Sequence, residues 1–178
     1  LIRATQEDAM AVTIRPLETA EAATLAGFAE TCFRESFGYL FPEEALEDLC
    51  AKAFAPALIA TLIEQGAWVA DSPSGWLGYL ALGLNPCPAP GLGVPHLELA
   101  RLYVSSPWHG QGVANALMKV FLAEARNRGF KAVWLEAFEG NPRALKFYAR
   151  WGFRDLGGRE NAREGVRLPH RILGTELA

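Results

Sequence analysis

"YVSSPWHGQGVANAL", residues 103–117, closes a run of alternating apolar residues, passes through two glycines and enters a helical pattern. A glycine-bearing turn from strand to helix is where unpaired backbone amides hold a phosphate, with the helix dipole behind them. The stretch lacks the lysine of a P-loop, since Lys119 is the first lysine and lies well inside the helix. It also departs from a dinucleotide fingerprint. Asn115 stands where the third glycine belongs, and Glu136 falls beyond the place of the acidic residue. What remains is a turn in which Gly110 and Gly112 let the backbone approach a ligand, while Ala114 keeps the first helical turn uncrowded. The amides of Gly110, Gln111, Gly112, Val113 and Ala114 then converge on one point, which suits a pyrophosphate held without a metal. The competing reading is a helix start that needs glycine for close packing.

Outward from the turn, strand and helix patterns interleave. Residues 12–17 alternate and meet Pro16, which predicts a short first strand. Leu25, Phe28, Cys32, Phe33 and Phe37 recur at helical spacing, so a helix is expected from Thr19 to about Phe37. Pro42 with Glu43 and Glu44 opens a second helix, and Pro56 opens a third that Gly66 closes. Strands are expected at 67–70 and 75–84 around the turn "DSPSG". Four prolines and two glycines make 85–95 a loop. A strand follows at 96–104, then a helix over about 112–128 stopped by Gly129, and the strand "KAVWLEAF". After the turn "EGNP" come a helix at 142–150 and a final strand or two. This is a mixed α/β class with a substantial sheet. One domain is expected over 12–178, preceded by an extension at 1–11.

Composition sets outer limits. The 178 residues are about half apolar, ordinary for a globular chain with a real core. No apolar run reaches membrane-spanning length, and the opening stretch shows no signal-peptide core, so a cytoplasmic protein is expected. Cys32, Cys50 and Cys87 are widely spaced, as are His96, His109 and His170, which argues against a disulfide framework and a metal site. Residues 1–75 hold 12 Asp/Glu against 4 Lys/Arg, a net of −8; residues 76–178 hold 8 against 13, a net of +5. An acidic half suits a cationic ligand and a basic half an anionic one, although both also fit solvated helix faces.

The stretch "GNPRALKFYARWGF", residues 140–153, narrows the chemistry. Asn141 is a good N-cap and Pro142 a good first helical residue. Tyr148 is either a half-buried packing residue or a positioned phenol past a strand end, able to donate a proton.

Together the two stretches resemble the GNAT N-acetyltransferase superfamily. The family follows a strand, here "LELARLYV", with an [R/Q]-x-x-G-x-[G/A] turn; "HGQGVA" matches at Gly112 and Ala114 and carries His109 at the first position. "NPRALKFYARWGF" is similar to the family's later N…A…FY…GF element. The resemblance follows element order over about 12–175 and is motif-specific over 97–156. "FRESFGYLFPEEAL", the proline-rich insert and "WLEAFEGNPRALKFYARWGF" resemble more narrowly the bacterial polyamine acetyltransferases related to the PaiA sporulation regulator.

The resemblance implies a mostly antiparallel central sheet containing one splayed parallel strand pair, with helices on both faces. Acetyl-CoA would lie at the splay between 97–104 and 132–138. Leu102, Tyr103 and Val104 would contact its pantetheine arm, the amides of 110–114 its pyrophosphate, and Asn141 the pantetheine. Tyr148 would face the thioester sulfur and protonate the departing thiolate. A primary amine must lose a proton before attack; Glu98 is the candidate base, and a strand amide, that of Val104, would hold the oxyanion. Glu98 and Arg101 can equally be ordinary strand residues. On the acceptor side, Phe33, Phe37, Tyr39 and Phe41 accompany Glu35, Glu43 and Glu44, a mix suited to an aliphatic polyamine such as spermidine or spermine, though core packing also uses such aromatics. The expectation is a transferase acting on a small amine as a monomer or homodimer, with neither nucleic acid nor membrane as partner. The alternative is a non-catalytic acetyl-CoA-binding sensor or regulatory protein.

Overall fold

The computed structural model describes residues 12–178, so the extension expected at 1–11 lies outside the described residues. In chain order the elements are β1 (Thr13–Pro16), α1 (Ala22–Phe37), α2 (Glu43–Ala53), α3 (Pro56–Gly66), β2 (Ala67–Ser72), β3 (Gly75–Gly83), β4 (His96–Val104), α4 (Val113–Asn127), β5 (Ala132–Phe138), α5 (Pro142–Arg150), β6 (Arg154–Arg163) and β7 (Val166–Glu176). Among the described residues, seven strands hydrogen-bond in the order β1-β2-β3-β4-β5-β7-β6. Pairing is mostly antiparallel, and β4 with β5 is the parallel pair. The mixed α/β class read from the sequence is thus observed. Element ends differ from expectation by a residue or two, and Thr19–Glu21 form a short 3-10 turn before α1. There the Glu21 carboxylate accepts the Glu18 N–H at 2.9 Å and also pairs with Arg15 of β1 at 2.8 Å.

Backbone contacts divide the chain into two compact units, one running to Leu82 with Arg101–Phe121 added, the other comprising Gly83–Ala100 and Leu122–Ala178. In the first, α1 buries Leu25, Ala29 and Cys32 at the three-and-four spacing of a helix face. Leu77 to Leu82 of β3 form an unbroken buried run, the signature of a strand covered on both sides. Arg101, which the sequence left undecided, anchors the end of α2. Its Nη2 donates to the Ala53 carbonyl at 2.9 Å and its guanidinium carbon lies 5.1 Å from the centre of the Phe54 ring. A cation at a helix C-terminus, over an aromatic face, is favourably placed.

In the second unit, β5 buries Ala132 to Leu135 and pairs with β7 along its whole length, from Ala132↔Glu176 to Phe138↔His170. The proline-rich loop 85–95 is fastened to this framework at several points. Cys87 N–H donates to His96 Nε2 at 2.9 Å, Gly93 N–H to Glu176 at 2.9 Å, and Lys131 N–H to the Pro95 carbonyl at 2.7 Å.

Within the first unit, β3 and the end of β4 approach closely because Gly78 has no side chain. A Cβ there would lie 2.6 Å from the Tyr103 carbonyl oxygen and 3.2 Å from the Val104 Cα. Both contacts are backbone, so neither can rotate away. Gly78→Ala should therefore destabilise the protein by about 1–3 kcal/mol, the usual scale of overpacking. Urea unfolding with an unchanged slope checks this, and a variant as stable as the parent would show that the two strands have slack.

Candidate functional site

The first unit carries the glycine turn. Past β4, the Ser105 N–H continues the pairing by donating to the Leu77 carbonyl at 2.9 Å. A short 3-10 turn, Ser106–Trp108, follows, and it buries Trp108. Its start is tied to α1, since Glu35 accepts from both the Ser106 N–H at 3.2 Å and the Ser106 hydroxyl at 2.8 Å. His109 bonds through Nε2 to the Val104 carbonyl at 2.7 Å. The family pattern has Arg or Gln at this position, so the departure supplies a brace inside the loop.

Gly110 and Gly112 have φ of +78° and +87°, and nothing lies within 4 Å of a Cβ built on either. The glycines are required by this left-handed backbone, with open space over both. The first rung of α4 runs from the Ala116 N–H to the Gly112 carbonyl at 3.0 Å. The amides of Val113 and Ala114 therefore precede the helical ladder and point out of its N-terminus, where the dipole favours an anion. Gln111 has a different part: its N–H donates to the Trp108 carbonyl and its side-chain amide to the Pro107 carbonyl at 2.8 Å. It builds the turn.

Leu102, Tyr103 and Val104 are half-buried. Tyr103 stacks on the fully buried Tyr79 with ring centres 5.7 Å apart, and Phe37 meets Tyr103 edge-on. The aromatic stretch expected to face an acceptor is partly core: Phe33 packs against Phe37, Phe41 and Phe54. Tyr39 is 75% exposed. Of the acids, Glu35 is engaged with Ser106, and Glu43 lies 3.6 Å from Arg34.

The second unit carries the titratable candidates. The parallel ladder pairs His96, Leu97 and Glu98 with Ala132, Val133 and Trp134, and goes no further among the described residues. Glu98 is half-buried, and burial is the largest influence on its carboxyl, pushing it above the usual range. The Asn85 side chain opposes that by donating to its Oε2 at 2.7 Å, while the charge of Glu136 adds to the upward push. Glu98 has no cation partner among the described residues, unlike Glu136, which pairs with Arg159 at 2.7 Å. Asn141 caps α5, its Oδ1 accepting the Ala144 N–H at 3.1 Å, so its NH₂ is the group a ligand would receive. Tyr148 is 9% exposed, its ring against Phe147 and Phe153 at 5.4 and 5.8 Å. Packing at this residue is thus real whatever its hydroxyl does.

Sequence reasoning passed over Asn85 and Gly83. They lie where β3 gives way to the proline-rich loop, and a Cβ on Gly83 would collide with the Glu98 carboxylate. Only the X-Pro step at 85–86 marked the place. Among the described residues no group of three or more His, Cys, Asp or Glu is gathered to hold a metal, and no helix is long and apolar enough to cross a membrane.

Against known proteins, residues 27–153 match the model of the acetyltransferase (GNAT) family. The chain is similar to an uncharacterized N-acetyltransferase of Mycobacterium tuberculosis, 44% identical over 63 residues that make 35% of this chain and 40% of the relative. It is also similar to N-acetyltransferase 8F1 of Rattus norvegicus, 38% identical over 92 residues, 52% of this chain and 41% of that one. The match thus spans about two fifths of these relatives' length. Among solved structures, the PaiA N-acetyltransferase of Thermoplasma acidophilum in complex with coenzyme A superposes with a TM-score of 0.74 over 94% of this chain and 99% of that one. At 17% identity that likeness is one of fold. With a family match over most of its length, and the left-handed glycine turn inside the matched stretch, this chain belongs to the GNAT acetyltransferase family.

Proposed function

We propose that residues 12–178 form one catalytic domain, an N-acetyltransferase that moves the acetyl group of acetyl-CoA to a primary amine of a small substrate. The observation that carries this is the turn at Gly110–Gly112, left-handed at both glycines and opening into the N-terminus of α4. The residues present fit the co-substrate: Gly110, Gly112, Val113 and Ala114 take its pyrophosphate, Leu102–Val104 its pantetheine arm, and Asn141 donates to that arm. Acetyl-CoA supplies the activated acetyl group. Glu98 takes a proton from the incoming ammonium, aided by a burial that holds its carboxyl above the ordinary range. The Val104 amide faces the charge that develops on the carbonyl oxygen. As the carbon–sulfur bond breaks, Tyr148 gives its proton to the leaving sulfur. The acceptor we favour is a polyamine such as spermidine, supported by the net charge of −8 over residues 1–75. We place the reaction in the cytoplasm, in a monomer or homodimer, with Cys32, Cys50 and Cys87 as thiols.

A thiol-release assay with acetyl-CoA across spermidine, spermine, amino acids and peptides tests the activity. Binding of acetyl-CoA without acetylation of any amine would make the chain a sensor. Tyr148→Phe removes only the hydroxyl, so acetyl-CoA affinity should hold while turnover drops by roughly 10²–10⁴-fold. Parental turnover in that variant would reduce Tyr148 to packing.

Two further outcomes follow from the turn and the charge. Gly112→Val forces a branched side chain into a left-handed backbone, at a cost of about 1–2 kcal/mol. Coenzyme A affinity should fall by about tenfold or more; calorimetry on the folded variant measures it, and unchanged affinity would remove the pyrophosphate assignment. If acidic residues draw in a cationic acceptor, the KM for the best amine should rise as salt shortens the Debye length below its value of about 8 Å at physiological strength. A salt-independent KM would discard the electrostatic part of the polyamine assignment.

A further inference from the structure

Asn85 opens the proline-rich loop, two residues beyond the end of β3, and its side chain is exposed. Its Nδ2 donates to Glu98 Oε2 at 2.7 Å. Its carbonyl accepts the Trp134 indole N–H at 3.3 Å. Trp134 is 2% exposed and is the residue paired with Glu98 across the parallel ladder. The three residues therefore close a ring: Glu98 to Asn85 by side chain, Asn85 to Trp134 by backbone, Trp134 to Glu98 by register. Pro86 restricts Asn85 to extended backbone, and Gly83 leaves the room that the carboxylate fills. An exposed amide has little reason to be held at both ends by packing alone.

We propose that Asn85 is a positioning residue for Glu98: its amide fixes which way the carboxylate faces, and Trp134 fixes the amide. The proposal rests on Glu98 acting as the base of the proposed reaction. A bond from an amide N–H favours the carboxylate over the acid, so losing it moves the ionisation of Glu98 to higher pH. The neighbouring charged and titratable groups are Glu136 on β5, itself paired with Arg159 of β6, and His96 on β4, whose Nε2 accepts the Cys87 N–H.

The test compares Asn85→Ala, Asn85→Asp and Glu98→Gln in the full chain, each shown folded by its melting curve. Carbon-13 NMR of the Glu98 carboxyl, without substrate, reads its midpoint; kcat/KM for the amine against pH reads the reaction. Asn85→Ala should move the midpoint and the acid limb upward together, with activity lost severalfold on the acid limb and regained at higher pH. Asn85→Asp should move both further, because it adds a like charge. KM for acetyl-CoA should not change. A midpoint that stays put, or one that moves while the acid limb does not, overturns the proposal. Glu98→Gln keeps the two claims apart. Parental turnover there removes the base and with it the positioning role. An inactive Glu98→Gln beside an unmoved limb in Asn85→Ala discards Asn85 alone.

Discussion

Parallel strands β4 and β5 exchange backbone bonds over three residues, and β4 continues for six more, from Leu99 to Val104, outside that ladder. Backbone amides and carbonyls inside a folded chain demand partners, so a strand that leaves its neighbour needs something else alongside. The β3 side of β4 is held tightly through Gly78, and the far end is held by the Ser105–Leu77 bond. The His109 ring takes the Val104 carbonyl. It is to this stretch that the proposed function assigns the pantetheine arm of coenzyme A. Of the residues given a chemical part, Glu98 and Leu102–Val104 lie on β4 and Gly110–Ala114 in the turn and helix start that follow it, while Asn141 and Tyr148 belong to α5.

Much of this was legible in the sequence because its cues are local. Pro56 and Gly66 mark the two ends of α3, and Gly66 has the positive φ of a stop residue. Asn141 and Pro142 mark the start of α5. The long alternation ending at Val104 gave β4 to the residue. The early helix begins at Thr19 as its periodicity suggests, but as a 3-10 turn to Glu21, whose carboxylate pairs with Arg15 of β1, a contact that no periodicity reveals. Similarly, the aromatic stretch 33–41 reads the same whether its rings face a ligand or one another. Only the packing of Phe33 on Phe41 and Phe54 assigns part of it to the core.

The site divides along the same line. Gly110 and Gly112 stand out in the sequence, but they are needed for more than the approach of a ligand. The backbone is left-handed at both, so glycine is needed before any ligand arrives. Gln111 reads in sequence as one more amide in the row, whereas its N–H and side chain close the turn. Asn85 was invisible because Glu98, which it meets, lies thirteen positions further along a chain that must first fold back. A single hydrogen bond across such a distance leaves no pattern in sequence.

The loop that carries Asn85 also bears Cys87, and the three thiols differ in their chemistry. Burial pushes Cys32 up to about 12 and raises Cys50, so both are poor nucleophiles. Cys87 is half-exposed and sits two residues from Asn85. Maleimides and aromatic disulfides will therefore label Cys87 first. A fluorophore or spin label attached there would report on this strap, and a Cys87→Ser background would give a protein silent to the same reagents.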